Sequence, residues 1–311
     1  MPRSRSFRVR GATLGVVLAC VVGVFSAAPA TAGSSRGSTG NSNPNTYLAL
    51  GDSVTFGYDP LLVQPGGDRV DPEVFVGFPQ LVAWRSSPKL KLVNASCPGE
   101  TSTGFITGAA ADDFRCQFYR QSIGDLHVSY EGSQLQFATS YLAAHPRTNV
   151  VSLMIGANDL LKLQSTCTQT NPATVNDCIA SGLPALLTRL QMNLMTIYTA
   201  LRDTGFTARF VALTYYSPNY TDVPFTNAAR AVNDVLTQVA EAFDGTVADT
   251  FTAFDKAAAP YGGDTCATGL LIHLTPTSCD IHTSPAGDRL LASTFLSAVK
   301  HARSQDSPRA A

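Results

Sequence analysis

Beyond residue 45 the chain alternates short, continuously apolar runs with longer stretches whose apolar positions recur at helical spacing. Tyr47-Leu48-Ala49-Leu50 ends at Gly51-Asp52 and reads as a strand meeting a turn. Leu90–Val93, Asn149–Ile155 and Arg209–Leu213 repeat the pattern, and Thr246–Asp249 predicts a fifth strand. Phe78–Trp84, Leu183–Leu201 and Thr226–Phe243 predict helices between them, with Pro79 tolerated in an opening turn. Pro285–Lys300 predicts a closing helix, with Ser284 as its N-cap and Pro285 at the first helical position. Strands buried on both faces read as unbroken apolar runs, and their alternation with helices predicts a parallel sheet covered on both sides. The expected fold is α/β, a three-layer α/β/α sandwich around a central, mostly parallel five-stranded sheet. The cysteine-bearing stretches 97–135, 161–180 and 256–281 interrupt the alternation and read as loop insertions. No internal repeat or second domain boundary stands out.

The N-terminus has a different character. Arg3, Arg5, Arg8 and Arg10 precede the apolar stretch Ala12–Ala27, and Ala30-Thr31-Ala32 is a small-x-small cleavage site. Residues 1–32 therefore read as a secretory signal peptide, which predicts a secreted, extracellular protein. The apolar run falls short of the ~18–20 residues that a bilayer span requires, so no stable membrane insertion is expected. Residues 33–45 are rich in Gly, Ser and Asn and read as a flexible lead-in. Residues 46–303 are expected to form a single domain and 304–311 a disordered tail.

With 44% hydrophobic and 14% charged residues, the chain is too apolar for a disordered protein. Its net charge is −1, and setting aside the N-terminal arginines leaves the body more acidic. No basic run appears, which argues against nucleic acid, whose phosphates need clustered Lys and Arg. Apart from Cys20 in the predicted signal, the cysteines are Cys97, Cys116, Cys167, Cys178, Cys266 and Cys279. An even set in an exported chain reads as a disulfide framework. Sequence alone does not choose the pairing, but the clustering into close couples favours 97–116, 167–178 and 266–279. Zinc ligands usually pair two to four residues apart, and no such couple exists here, so no metal is expected.

In parallel sheets ligands collect at the carboxyl ends of the strands. Gly51-Asp52-Ser53 follows the first predicted strand, Asn94-Ala95-Ser96-Cys97-Pro98-Gly99 the second and Gly156-Ala157-Asn158-Asp159 the third; Asp280-Ile281-His282 comes just ahead of the last helix. A hydroxyl, a small-residue turn, an amide and an imidazole are the parts needed for acyl transfer: nucleophile, oxyanion donors and general base. Each tripeptide alone is common in turns. Gly33-Ser34-Ser35-Arg36-Gly37 also fits a nucleophile-elbow pattern, but no strand precedes it and it is set aside.

Taken in order, these blocks resemble the SGNH (GDSL-type) hydrolase superfamily: Gly51-Asp52-Ser53-Val54-Thr55-Phe56-Gly57, then Gly99, then Gly156-Ala157-Asn158-Asp159, then Asp280-Ile281-His282 with Pro285 and Gly287. The resemblance spans residues 46–300. The cysteines are further similar to those of the secreted actinobacterial lipase/esterase branch, which carries three bridges. The resemblance implies that Ser53 attacks an ester carbonyl and His282 is the general base. The backbone N–H groups of Ser53 and Gly99 and the side chain of Asn158 would form the oxyanion hole. It implies no cofactor, an ester or lipid substrate, and a monomer. Phospholipid acyl hydrolysis and polysaccharide deacetylation are alternatives on the same site, and a catalytically inactive binding protein is a third reading from another class.

One departure stands out. The family places its carboxylate three residues before the base, where this chain has Cys279, whereas Asp280 is two before. Either Asp280 orients the imidazole through altered local geometry or a backbone carbonyl does so. Asp52 and Asp159 read as braces of their turns. His127, His145 and His301 lie outside the pattern, and His273, the closest rival to His282, lacks the following Pro and Gly of the block. Trp84, the only tryptophan, is expected in a core helix, which weighs against a carbohydrate platform. Phe75, Val76, Phe118 and Tyr119 are candidates for an acyl pocket.

Overall fold

The computed structural model describes residues 45–63 and 68–306. The predicted signal peptide, nearly all of the lead-in and residues 307–311 lie outside the described residues. The first unbroken apolar run forms β1 (Thr46–Gly51), which leads into the short helix α1 (Ser53–Phe56). There follow α2 (Phe78–Arg85), β2 (Lys91–Asn94), α3 (Ser102–Thr107), α4 (Cys116–Ser122), α5 (Gln134–Ala144) and β3 (Val150–Met154). Next come α6 (Ala157–Thr170), α7 (Val175–Asp203), β4 (Arg209–Leu213), α8 (Val223–Ala242) and β5 (Thr246–Ala248). The chain closes with α9 (Thr250–Ala258), β6 (Leu271–Thr275), β7 (Ser278–Thr283) and α10 (Pro285–Asp306).

The five predicted strands pair side by side in the order β2-β1-β3-β4-β5, all parallel. β1 and β3, central in the sheet, are buried along their whole length, as their sequences require. Helices α2 and α10 pack together with α9, while α3, α5, α6 and α8 pack around α7 in another group, giving the three-layer α/β/α sandwich. After β1 the chain steps to β2 on one side and then returns to β3 on the other. The strand order therefore reverses between β1 and β3, and a crevice forms at such a switch point, beyond the carboxyl ends. Ser53 follows β1 and Asn158 follows β3, so both open onto it.

The three disulfides are Cys97–Cys116, Cys167–Cys178 and Cys266–Cys279, as their clustering suggested. The segments they pin are not loops. The stretch 97–135 contains α3 and α4, and 161–180 is mostly helix, with α7 beginning eight residues before the predicted start and running through Pro184. A proline inside a helix removes one backbone bond, and the apolar spacing before it is weak. The Cys167–Cys178 bridge ties the start of α7 to the end of α6 there. The stretch 256–281 holds the antiparallel hairpin β6–β7, outside the main sheet. The last helix continues to Asp306, past the expected boundary at 303.

Trp84 is also misplaced by the sequence reading: it is 57% exposed. Helix α2 buries Phe78 and Val82, four apart, with Pro79 and Ala83 beside them, and Trp84 falls off that stripe. Among the described residues, no helix is long and apolar enough to cross a membrane.

Candidate active site

The turn after β1 is set by backbone geometry. Gly51 has φ 145°, and a Cβ there would stand 2.2 Å from the Met154 carbonyl oxygen of the neighbouring strand. Only glycine fits this close approach. Asp52 caps α1, its Oδ1 accepting from the Val54 N–H at 3.0 Å, and this fixes Ser53 at the mouth of the crevice. Ser53 is 8% exposed, and its Oγ lies 2.8 Å from His282 Nε2.

His282 and Asp280 both belong to β7. Successive side chains of a strand point to opposite faces, so residues two apart share one. Asp280, two residues before His282, is therefore on the same face of β7 as the imidazole. Asp280 Oδ1 is hydrogen-bonded to His282 Nδ1 and accepts from the His282 backbone N–H at 3.0 Å. Burial pushes the Asp280 carboxyl up, but the hydrogen bonds and charge of His282 outweigh it and hold the group below its ordinary value. The alternative of a backbone carbonyl at Nδ1 has no counterpart in this geometry.

Gly99 lies on the opposite lip. Its φ is 82°, and its carbonyl accepts from the N–H groups of Phe114 and Arg115, each at 3.1 Å. A Cβ at Gly99 would meet Arg115 Cβ at 2.5 Å. The Cys97–Cys116 bridge ties this loop to the segment that carries Arg115. Asn158, in the first turn of α6, donates from Nδ2 to the Glu100 carbonyl at 3.0 Å and to Asp52 Oδ2 at 3.2 Å. Both amide hydrogens are thus engaged here. Ser53, Gly99, Asn158 and His282 all line one cavity.

Several supporting residues escaped the sequence reading. Tyr215 Oη donates to Asp52 Oδ2 at 2.6 Å, and Tyr216 Oη donates to the Ile281 carbonyl at 2.6 Å. Both follow β4, and the strand-end rule that located the other groups would have found them had it been applied to the fourth strand. Gln134 clamps Gly51, its Oε1 accepting from the Gly51 N–H at 2.7 Å and its Nε2 donating to the Gly51 carbonyl at 3.0 Å. Glu100 is buried beneath the oxyanion loop, and burial, with Asp113 adding to it, pushes its carboxyl up to about 8. Burial pushes Asp52 up to about 6, against the hydrogen bonds from Tyr215 and Val54.

The remaining predicted residues sort themselves by position. Asp159 braces a different element from the one expected, accepting from the Ser102 N–H at 2.8 Å and the Ser102 hydroxyl at 2.6 Å at the start of α3. His127 is packed against Phe56, with burial lowering its pKa, while His145, His273 and His301 are exposed. Phe118 and Tyr119 line the cavity beside Gly99; Phe75 is instead in the core against Phe56 and Tyr58, and Val76 is exposed. Among the described residues, two groups have the proximity of metal ligands, Cys266 with His273 and Cys279, and Cys97 with Glu100 and Cys116. In both the sulfurs are joined to each other, so neither offers a thiolate.

Two cavities meet at Ser53 and His282. One is walled mainly by apolar residues of α6 and α8, including Leu160, Phe225 and Val232, with Tyr215 and Tyr216. The other runs past Gly99, Phe114, Arg115 and Phe118 and includes Tyr58, whose ring meets that of His282 edge-on at 4.9 Å.

Comparisons with known proteins agree with the architecture. Residues 49–290 match the model of the GDSL-like Lipase/Acylhydrolase family. No curated protein matches the chain in sequence. Among solved structures, the chain is similar to LAE5, an alpha/beta hydrolase enzyme from the metagenome of Lake Arreo in Spain. The identity is 19% and the TM-score 0.50, over 82% of this chain and 95% of that one. It is also similar to a variant of Axe2, an acetyl-xylooligosaccharide esterase from Geobacillus stearothermophilus. There the identity is 16% and the TM-score 0.50, over 82% of this chain and 94% of that one. At such identities the likeness is one of fold. The family match runs from β1 into α10 and takes in each of the motif blocks, and by it the chain belongs to the GDSL-like lipase/acylhydrolase family.

Proposed function

We propose that the protein is a secreted serine esterase or lipase that hydrolyses fatty-acyl esters through an acyl-enzyme. The observation that carries this reading is the 2.8 Å contact between Ser53 Oγ and His282 Nε2 at the junction of two cavities. His282 Nε2 takes the hydroxyl proton as Ser53 Oγ attacks the ester carbonyl. Asp280 holds Nδ1, fixing the tautomer that leaves Nε2 free to accept. The Ser53 and Gly99 N–H groups take the oxyanion. Asn158 joins them by exchanging one of its two present acceptors, Asp52 or the Glu100 carbonyl, for the substrate oxygen. Collapse of the tetrahedral intermediate breaks the C–O bond, and His282 passes its proton to the leaving alcohol. Water, deprotonated by the same nitrogen, then attacks the acyl carbon and restores Ser53.

The apolar cavity between α6 and α8 suits the acyl chain, and the more open one suits the alcohol. Arg115, exposed on that second wall and without an ion-pair partner among the described residues, favours a phospholipid as a second reading. The predicted signal peptide supports export, and three disulfides fit an oxidising compartment.

The test is hydrolysis of a p-nitrophenyl ester series, from acetyl to palmitoyl, by the wild-type protein and by Ser53→Ala. Activity in the wild type that is lost in the variant supports the reading. Activity that survives in Ser53→Ala, or a folded, oxidised wild type that cleaves no ester, overturns it.

A further inference from the structure

His282 is held at both of its nitrogens and, in addition, on its ring. We propose that Tyr58 is a positioning residue for this histidine: its ring fixes the tilt of the imidazole and keeps water off it, so that Nε2 stays aimed at Ser53. The kinetic consequence rests on the ester-hydrolase reading above, whereas the contact itself does not.

Two hydrogen bonds do not fix an imidazole completely. Asp280 holds Nδ1, and Ser53 Oγ lies 2.8 Å from Nε2. Both contacts end near the line that joins the two nitrogens, so the ring can still tilt about that line. The torsion next to an imidazole is broad and does little to prevent this. A third contact, from the side of the ring, is needed. Tyr58 supplies it: the two ring centroids are 4.9 Å apart and the planes cross at 63°. Edge-on pairs at this separation are a favoured aromatic arrangement. Among the described residues, no other aromatic ring pairs with His282.

Tyr58 is itself well braced. Gly57 ends α1 at φ 82° and turns the chain, so that the Tyr58 N–H donates to the Ser53 carbonyl at 3.0 Å. The Tyr58 ring stacks on Phe75 at 5.8 Å and meets Tyr119 edge-on at 6.1 Å, and both partners are buried in the core. Ser53 follows the central strand β1, whereas His282 belongs to a hairpin outside the five-stranded sheet. One residue thus has its backbone on the nucleophile and its side chain on the base. The hydroxyl takes no part in this. Among the described residues it has no hydrogen-bond partner, and burial, with the Asp280 carboxylate adding to it, pushes its pKa up, so the ring stays neutral beside the imidazole. A phenyl ring should therefore serve in its place.

The experiment compares the wild type with Tyr58→Phe and with two non-aromatic variants, Tyr58→Leu and Tyr58→Met, each checked for a cooperative thermal transition; one folded non-aromatic variant suffices. The first readout is the far-downfield proton resonance of His282 Nδ1–H in the free protein, assigned by its loss in His282→Gln, and it needs no substrate. The second is kcat and KM on p-nitrophenyl acetate. An aromatic pair shifts an equilibrium by roughly two- to tenfold, and misplacing a reacting group can cost about 100-fold in rate. The non-aromatic variants should broaden or lose the resonance and lower kcat by roughly tenfold or more, with KM within about twofold. Tyr58→Phe should keep the resonance and recover most of kcat. A folded non-aromatic variant with the wild-type resonance or the wild-type kcat, or a Tyr58→Phe as impaired as Tyr58→Leu, would overturn the proposal and leave the ester-hydrolase reading in place. If the wild type cleaves no ester, that reading fails by itself, and the resonance still decides whether Tyr58 holds the imidazole.

Discussion

The hydroxyl of Tyr215 donates to Asp52 Oδ2 over 2.6 Å, joining the end of β4 to the turn that presents Ser53. Asp52 is 1% exposed, its other oxygen is held by the Val54 N–H, and Asn158 also points at Oδ2. One carboxylate therefore sits between the turn that presents Ser53 and the Asn158 amide, and Tyr215 is its closest partner. A hydrogen bond to a charged group contributes about 1.5–3 kcal/mol, so Tyr215→Phe should lower kcat by roughly 10- to 100-fold. The loss should come with little change in KM, and the acid limb of the pH–rate profile should move upward as Asp52 becomes harder to ionise. Unchanged kcat and an unmoved limb would remove Tyr215 from the site.

The spacing of Asp280 and His282 leads to a second expectation. Because the two share a face of β7, Asp280→Ala should lower kcat well over tenfold and Asp280→Asn should not restore it, since an amide does not hold the Nδ1 proton as a carboxylate does. Steady-state kinetics decide the matter, and a near-wild-type Asp280→Ala would return the orienting role to a backbone carbonyl.

Gly99 should tolerate no side chain. A Cβ there would lie 2.5 Å from Arg115 Cβ at a φ of 82°, and a non-glycine residue in this region costs about 1–3 kcal/mol. Gly99→Ala should reduce thermal stability and activity together, whereas Gly205→Ala, with nothing within 4 Å of the added atom, should touch stability alone.

Glu100 links the site to pH. Its carboxyl is raised to about 8 by burial, so the folded state holds its proton through a range in which the unfolded chain has released it. That contribution is fully present below the unfolded value near 4 and is lost as pH rises through about 8; a shift of this size amounts to several kcal/mol. Denaturant unfolding should show the wild type losing stability from about pH 4 to about pH 8 and levelling off above that, and Glu100→Gln should flatten the slope. Parallel curves for the two proteins would place the proton elsewhere.

Much of this site was legible because its carriers follow unbroken apolar strands. The runs before Ser53, Gly99 and Asn158 needed only the period of a buried strand to be recognised, and the turn residues after them mark the crevice. The hairpin that carries His282 was not legible in the same way. β6 and β7 are short and only partly buried, their register shifts twice, and Cys279 interrupts the alternation, so 256–281 read as a loop. Once that segment is a strand, the two-residue spacing of Asp280 follows without any special geometry. Gln134 and Glu100 were hidden for another reason: their roles depend on contacts with Gly51 and Asp113 that only the assembled sheet and loops create.

The hairpin's separation from the five-stranded sheet has a kinetic meaning. Ser53 and Asn158 stand in the first turns of helices that follow the buried strands β1 and β3, but His282 rides on a ribbon tied down by Tyr216, by the Cys266–Cys279 bridge and by the cap of α10, where the Ser284 hydroxyl accepts from the Ala286 N–H. A peripheral unit of this kind can open without global unfolding. Heat should therefore silence the protein before it melts it, and on cooling activity should return at the pace at which the ribbon closes, not at the pace at which the domain refolds.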